Sequence, residues 1–251
     1  MAGLEIITVG GGAELKDFID LPWKIYAKYP RWVPPLKKEV RRMLDPRGHP
    51  FWESAERILF LARRGSETVG RIAGIIDGRH NQVHHEAMGS WGFFECADDS
   101  EAAAALFSSV ETWVRQKGMN FIRGPLSPSM NNETGLLVEG FDYPPALMMP
   151  YTPPYYPRLV ESCGFTKEKD LLAFLIVGDY RLPEWMDRLA ERITNKGGIH
   201  IRRFRPKEMD SEFDLIREIF NDSWCGNWGF VPLTENEMRD IQKSVVPFAD
   251  P

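Results

Sequence analysis

The chain has 251 residues, of which 43% are hydrophobic and 27% charged, enough apolar material for a buried core and too much for wholesale disorder. Lys and Arg number 31 against 36 Asp and Glu, a formal net charge of −5, which argues against a protein whose main task is gripping nucleic acid or an anionic membrane. The longest apolar run, residues 171–177, is far short of the ~20 residues that a bilayer span requires, and the first residues lack a basic-then-apolar export pattern. Three cysteines without a Cys-x-x-Cys pair indicate neither a disulfide framework nor a zinc ribbon, so the expectation is a cytoplasmic protein with no nucleic-acid or membrane partner.

Residues 4–9 (LEIITV) predict a strand ended by Gly10, Gly11 and Gly12, with a helix beginning near Glu14. The glycines do not match a dinucleotide fingerprint, because Leu15 stands where glycine is needed, and a turn is the simpler reading. Pro30, Pro34 and Pro35 break this helix, and residues 36–45 predict a second, short one. Residues 57–63 and 67–76 read as strands joined by Arg64-Gly65-Ser66, an antiparallel hairpin, and residues 89–96 as a third strand. Between them, HNQVHHE (80–86) carries His80 and His84 at a spacing that could ligate a metal on a helix, but a connection between strands favours a polar turn and no metal.

Ala103, Leu106, Phe107, Val110, Trp113 and Val114 repeat at helical spacing, and Asp98 with Glu101 three residues later predicts a capping box at the helix start. A strand at 121–124 follows. Eight of the 19 prolines then fall between Pro125 and Pro157, which predicts a long ordered loop of the kind on which sites are built. A short helix over 155–162 stopped by Gly164, an apolar strand over 170–177 and a helix from Pro183 to Asn195 complete the first part.

From residue 199 the order strand, helix, Trp, Val-Pro, helix recurs, setting IHIRRF and NWGFVPL against LEIITV and RWVPPL. This suggests a domain at 1–180, a connecting helix and linker at 181–198, and at 199–251 the opening of a second copy that would continue by about 100 residues. The alternative is a tail that packs onto the first domain.

The succession of elements, with YYPRLVESCGF (155–165) as its most specific piece, resembles the GNAT superfamily of acyl-CoA N-acyltransferases. RGPLSPSMNNETGLLVEGF and MMPYTPPYYP are also similar to an uncharacterised bacterial family of tandem GNAT-like proteins. The resemblance implies an α+β fold with a mixed, mostly antiparallel sheet between helices, and direct attack of a small-molecule or peptide amine on the thioester of acetyl-CoA or another acyl-CoA. It places Glu95, on the third strand of the hairpin sheet, as the general base, a surface charge pair being the other reading of that residue. The superfamily's acid tyrosine falls at Val160 by count; Tyr156, one turn earlier, is read either as its substitute or as an aromatic packing on the loop. Phe94, Cys96 and Ser100 take cofactor-binding positions, and Ser129, Asn131, Asn132, Glu133 and Tyr155 substrate-binding ones. Ser127, Ser129, Asn131, Asn132 and Glu133 read equally well as turns that satisfy their own backbone, and no metal is implied. The pyrophosphate-binding glycine pattern is missing, and the acidic run 98–101 stands in its place. A GNAT-like module without catalysis, serving ligand binding or structure, is therefore the alternative, and a homodimer is a further expectation. Trp23, Tyr26, Tyr29, Trp32, Phe51 and Trp52 read as either an acceptor wall or core.

Overall fold

A computed structural model describes residues 3–176, 178, 181–196 and 202–246. Its centre is a five-stranded sheet in the order β1 (Leu4–Thr8), β2 (Ala55–Arg64), β3 (Glu67–Asp77), β4 (Met88–Cys96), β5 (Phe121–Arg123). The first four strands are antiparallel neighbours, and only the β4–β5 pair is parallel. That one parallel step needs a crossover, which the long helix α4 (Ser100–Gln116) supplies. The fold is thus α+β, with a mostly antiparallel sheet and helices on both faces, as the resemblance implied.

Each face buries its own cluster. On one side, Leu106, Phe107 and Val110 of α4 meet Ile72, Trp91 and Phe94 of the sheet, joined by Tyr156 and Leu159 of α5 (Tyr156–Ser162). Gly89 lets α4 approach closely, since a Cβ there would come within 2.4 Å of the Val114 side chain. On the other side, Phe18 and Ile19 of α1 (Gly12–Ile25), Leu44 of α2 (Lys37–Leu44), Phe51 and Trp52 pack on Leu59, Leu61, Ala73 and Ile75. Phe51 and Trp52 are therefore core, whereas Trp23, Tyr26, Tyr29 and Trp32 form a separate aromatic cluster in which Tyr26 stacks on Trp32 at 4.6 Å.

Three expectations need correction. Residues 78–84 form a helix, α3 (Gly78–His84), rather than a polar turn, because Asp77 accepts from the backbone N–H groups of Arg79 and His80 and so caps it. The cap of α4 is Asp99, which accepts from Ala102 N–H at 3.0 Å, and not Asp98. Asp98 is drawn away by Arg158 of α5, while Glu101 turns to Arg64, so no capping box forms. Finally, residues 170–176 form no strand; Leu172, Phe174, Leu175 and Ile176 lie exposed. A strand apolar on both faces needs cover on both, and no described neighbour pairs with this one. Val177, the last residue of that predicted strand, lies outside the described residues, as do Gly197 and Gly198 and the first residues of the strand predicted from 199.

The remaining elements are two short strands in the proline-rich loop, β6 (Leu126–Ser127) and β7 (Glu133–Thr134), and the helices α6 (Glu184–Asn195), α7 (Met209–Trp224) and α8 (Glu235–Val245). Trp185, Met186, Leu189 and Ile193 of α6 are exposed. The segment from Phe230 through α8 lies against the first part of the chain. Phe230 and Val231 carbonyls accept from His84 and Asn131, Arg79 pairs with Glu237, Arg42 with Asp240, and Asn236 with Glu53.

Candidate active site

β4 and β5 are paired only from Met88 and Phe121 to Ser90 and Arg123, while β4 continues to Cys96. Beyond Ser90 the strands part, and the exposed backbone of β4 must find other partners. It bulges there. Phe93 has φ 48, in the left-handed region that costs a bulky residue about 1–3 kcal/mol, and the pairing with β3 shifts between Arg71 and Ala73. β6 crosses beside the bulge, with the Leu126 carbonyl so close to Gly92 that a Cβ would stand 1.7 Å from it. Only glycine fits at that crossing.

The alternation along β4 puts Phe94 and Cys96 into the α4-side core, while Phe93 packs toward α1. Glu95 shares the Phe93 side and becomes the centre of a polar cluster. The Tyr156 hydroxyl donates to Glu95 Oε2 at 2.6 Å and accepts from the Cys96 N–H at 2.9 Å. The Tyr26 hydroxyl also faces the carboxyl and favours its charged form. Arg71 of β3 lies with Nη2 3.6 Å from Glu95 Oε1, and its Nη1 donates to the Phe18 carbonyl at 2.6 Å. Elements distant in sequence, α1 with the turn after it, β3, β4 and α5, thus converge on one carboxyl group.

Burial pushes the Glu95 carboxyl above the usual carboxylate range, opposed by the Arg71 charge and the two phenols. Burial, then the adjacent Glu95 charge, lifts Tyr156 and Tyr26 well above an ordinary phenol, so both remain donors at neutral pH. Arg71 is itself pushed down by burial and held up chiefly by Glu95. Glu133 of β7 is exposed by surface area yet sits in crowded surroundings, and desolvation holds its carboxyl above the ordinary value against the pull of Arg71.

Glu95, Tyr156 and, more loosely, Glu133 are brought together, and Tyr155 sits beside them, its hydroxyl donating to the Cys96 carbonyl at 2.7 Å. The others are arranged differently. Phe94 and Cys96 are buried, and burial together with Asp99 pushes the Cys96 thiol up to about 12, which removes it as a nucleophile. Ser100 is exposed at the first position of α4. Ser129 donates to Asn132 and accepts from the Asn131 N–H, and Asn131 donates to the Val231 carbonyl, so these polar groups are spent on their own turn and on the distant segment. Arg71 was not singled out from the sequence, although a lone charge inside VGRIAGII is the signal that could have marked it. His80 and His84 lie with ring centroids 4.5 Å apart and planes tilted by 37°, but His80 is held by Glu86 and His84 by the Phe230 carbonyl. Among the described residues no group of His, Cys, Asp and Glu is arranged to hold a metal ion.

The donor side can be tested residue by residue. A thioester carbonyl and a pantetheine chain would take backbone groups of β4, but Phe93 N–H donates to Ser127 Oγ at 2.9 Å and both backbone groups of Cys96 are held by Tyr155 and Tyr156. At the α4 start, Asp99 occupies one of the helix donors, and Arg64 neutralises Asp99 and Glu101 while Arg158 pairs with Asp98. The acidic run is therefore closer to balanced than its sequence suggests, but it offers no ready phosphate cradle. In this conformation the residues do not fit a coenzyme A in the superfamily's usual pose.

No protein-family model matches the chain. A protein of Caulobacter vibrioides named bacterial ceramide synthase is 39% identical over 253 residues, covering 99% of this chain and 65% of that protein. Protein YghO of Escherichia coli is 36% identical over 242 residues, covering 93% of this chain and 60% of YghO. The chain thus spans somewhat less than two thirds of the curated relatives it matches. Two solved structures of an aminoglycoside acetyltransferase from an uncultured soil metagenomic sample, one with sisomicin and one with trehalose, align over 69% of this chain and 95% of theirs. Their identities are 13% and 11%, and their TM-scores 0.44 and 0.42.

Proposed function

We propose that the chain carries the site of an N-acyltransferase that joins an acyl group from an activated thioester to the amine of an amphiphilic small molecule. The observation that carries this reading is the largely buried Glu95 carboxyl, its side chain 13% exposed, with Tyr156 on it, placed where β4 leaves β5. A carboxylate of raised proton affinity is a better base near neutral pH than an ordinary one. As the amine nitrogen bonds to the acyl carbon and the thiolate leaves, Glu95 takes the proton that the nitrogen sheds. Tyr156 holds the carboxylate and, through Cys96 N–H, the strand that carries it. The relationship to a protein named for ceramide synthesis supports a long-chain amino alcohol as acceptor and a fatty acyl group as donor, since ceramide is the amide of those two parts.

The test is transfer from palmitoyl-CoA to sphinganine, followed by thiol release and by mass spectrometry of the amide. Product formation that falls about 10²- to 10⁴-fold in Glu95→Gln, with the variant folded, supports the reading; undiminished transfer in that variant removes Glu95 as base. The second reading, a ligand-binding or structural module without catalysis, is favoured by the partnered β4 edge at Phe93 and Cys96. Calorimetric titration with palmitoyl-CoA and free CoA separates the two. Saturable binding by the chain requires Ser127 and the tyrosines to yield, and absence of binding by two independent methods leaves the module reading.

A further inference from the structure

We propose that Arg71 is the positioning residue of this site: its guanidinium bridges the Phe18 carbonyl and the Glu95 carboxyl, and so keeps Glu95 in its charged, proton-accepting form and fixes its direction. The inference rests on the reading of Glu95 as base, and it adds a group that touches neither donor nor acceptor.

The geometry is specific. Arg71 sits in the middle of β3, only 6% exposed, with apolar Ile72 and Ala73 following it. One end of the fork donates to Phe18 O at 2.6 Å, the other faces Glu95 Oε1 at 3.6 Å, and the guanidinium lies 4.9 Å from the Phe18 ring. The register sets Arg71 directly opposite Glu95 across the β3–β4 ladder, on the same face. Its Nε, buried and without a partner, shows that the side chain is not there to satisfy every donor it owns. A buried cation of this kind persists where it offsets a buried anion, and Glu95 is the carboxylate that faces it.

The groups facing Glu95 are few and can be controlled separately: Arg71 from β3, Tyr26 from the turn after α1, Tyr156 from α5, and Glu133 from β7 at longer range, with Tyr155 and Cys96 neighbouring Tyr156. Both tyrosines are neutral donors at working pH, and Glu133 repels rather than attracts. Among these, Arg71 alone supplies positive charge. Lysine would retain the charge, but its single ammonium cannot span Phe18 O and Glu95 together.

The decisive experiment reads Glu95 itself. The protein labelled with carboxyl-¹³C glutamate is titrated by NMR, the Glu95 signal being the one missing in Glu95→Gln. The expected result is a midpoint that rises by at least one pH unit in Arg71→Gln, as loss of an opposite charge at this range implies, and by less in Arg71→Lys. The acid limb of the palmitoyl-CoA to sphinganine rate profile should move by the same amount in each. An unchanged midpoint in either folded variant overturns the proposal. Should Arg71→Gln fail to fold, Arg71→Lys decides on its own by the same criterion. If the wild-type protein transfers no acyl group at any pH, the functional reading falls, while the titration still decides whether Arg71 holds the charge of Glu95.

Discussion

Glu95 has to meet two opposing demands. Burial favours its neutral form, yet a base is useful only when charged. Because its proton affinity is raised, the carboxyl is protonated and idle at a pH where an exposed glutamate would already be ionised. Activity should therefore rise with pH along an acid limb centred above the ordinary ~4.3, and that limb should vanish in Glu95→Gln; a kcat/KM profile across pH 4–9 measures both. Tyr156 carries a second burden, since its oxygen is the partner of the buried Cys96 N–H. Tyr156→Phe leaves that donor and one Glu95 oxygen unpaired, which should lower stability by about 1–3 kcal/mol in urea unfolding in addition to any loss of rate. Tyr155→Phe, which frees only one lone pair of the Cys96 carbonyl, should cost less by the same measurement.

At the scale of elements, the start of α4 is held by Asp99, whose carboxylate serves both the Ala102 N–H and Arg64. The Arg64 hydrogen bond is the largest cause that lowers its proton affinity below the ordinary value. The stability it contributes is accordingly present above the usual carboxylate range and lost as the pH falls through the lowered value. Asp99→Ala should cost about 1 kcal/mol at pH 7 and progressively less as the pH falls below the usual carboxylate range, read from urea midpoints across that range. Gly92→Ala at the β4–β6 crossing should be worse, about 1–3 kcal/mol or more, because the obstacle is the Leu126 carbonyl and backbone cannot swing aside as a side chain can.

These elements were legible to different degrees. Period-two and period-3.6 patterns placed the hairpin strands and α4 well, and alternation put Glu95 and Phe93 on one face. The helix at 78–84 was missed because its one strong cue, the Asp77 cap, is a single residue. The apolar run at 170–176 has the composition of a strand, but strandhood is a property of partners, and composition does not name them. The same holds for the loop 129–133. Ser129, Asn131 and Asn132 have the right chemistry to bind a ligand, yet Asn131 spends its amide on a carbonyl exactly 100 positions later, a contact no local pattern encodes. Arg71 became meaningful only when the register set it opposite Glu95.

For the whole molecule, residues 230–240 tie the later helices to the first part through α3, the proline-rich loop and the 50–53 turn. Arg79 makes two of these ties, bonded to Glu237 and to the Pro232 carbonyl. Arg79→Ala should release α8 before the sheet, visible as faster hydrogen exchange over 230–245 with protection in β2 and β3 unchanged. Elsewhere the surface is less well covered. Leu172, Phe174, Leu175 and Ile176, with Trp185, Met186 and Leu189 of α6, leave greasy side chains in water well beyond the scattered few that a soluble surface carries. This exposure has a consequence for every assay above. At high concentration the 251-residue chain will stick to itself and to micelles of the long-chain substrates it is given, so dilute protein, and acyl-CoA kept below its micellar threshold, are the conditions under which its chemistry can be seen.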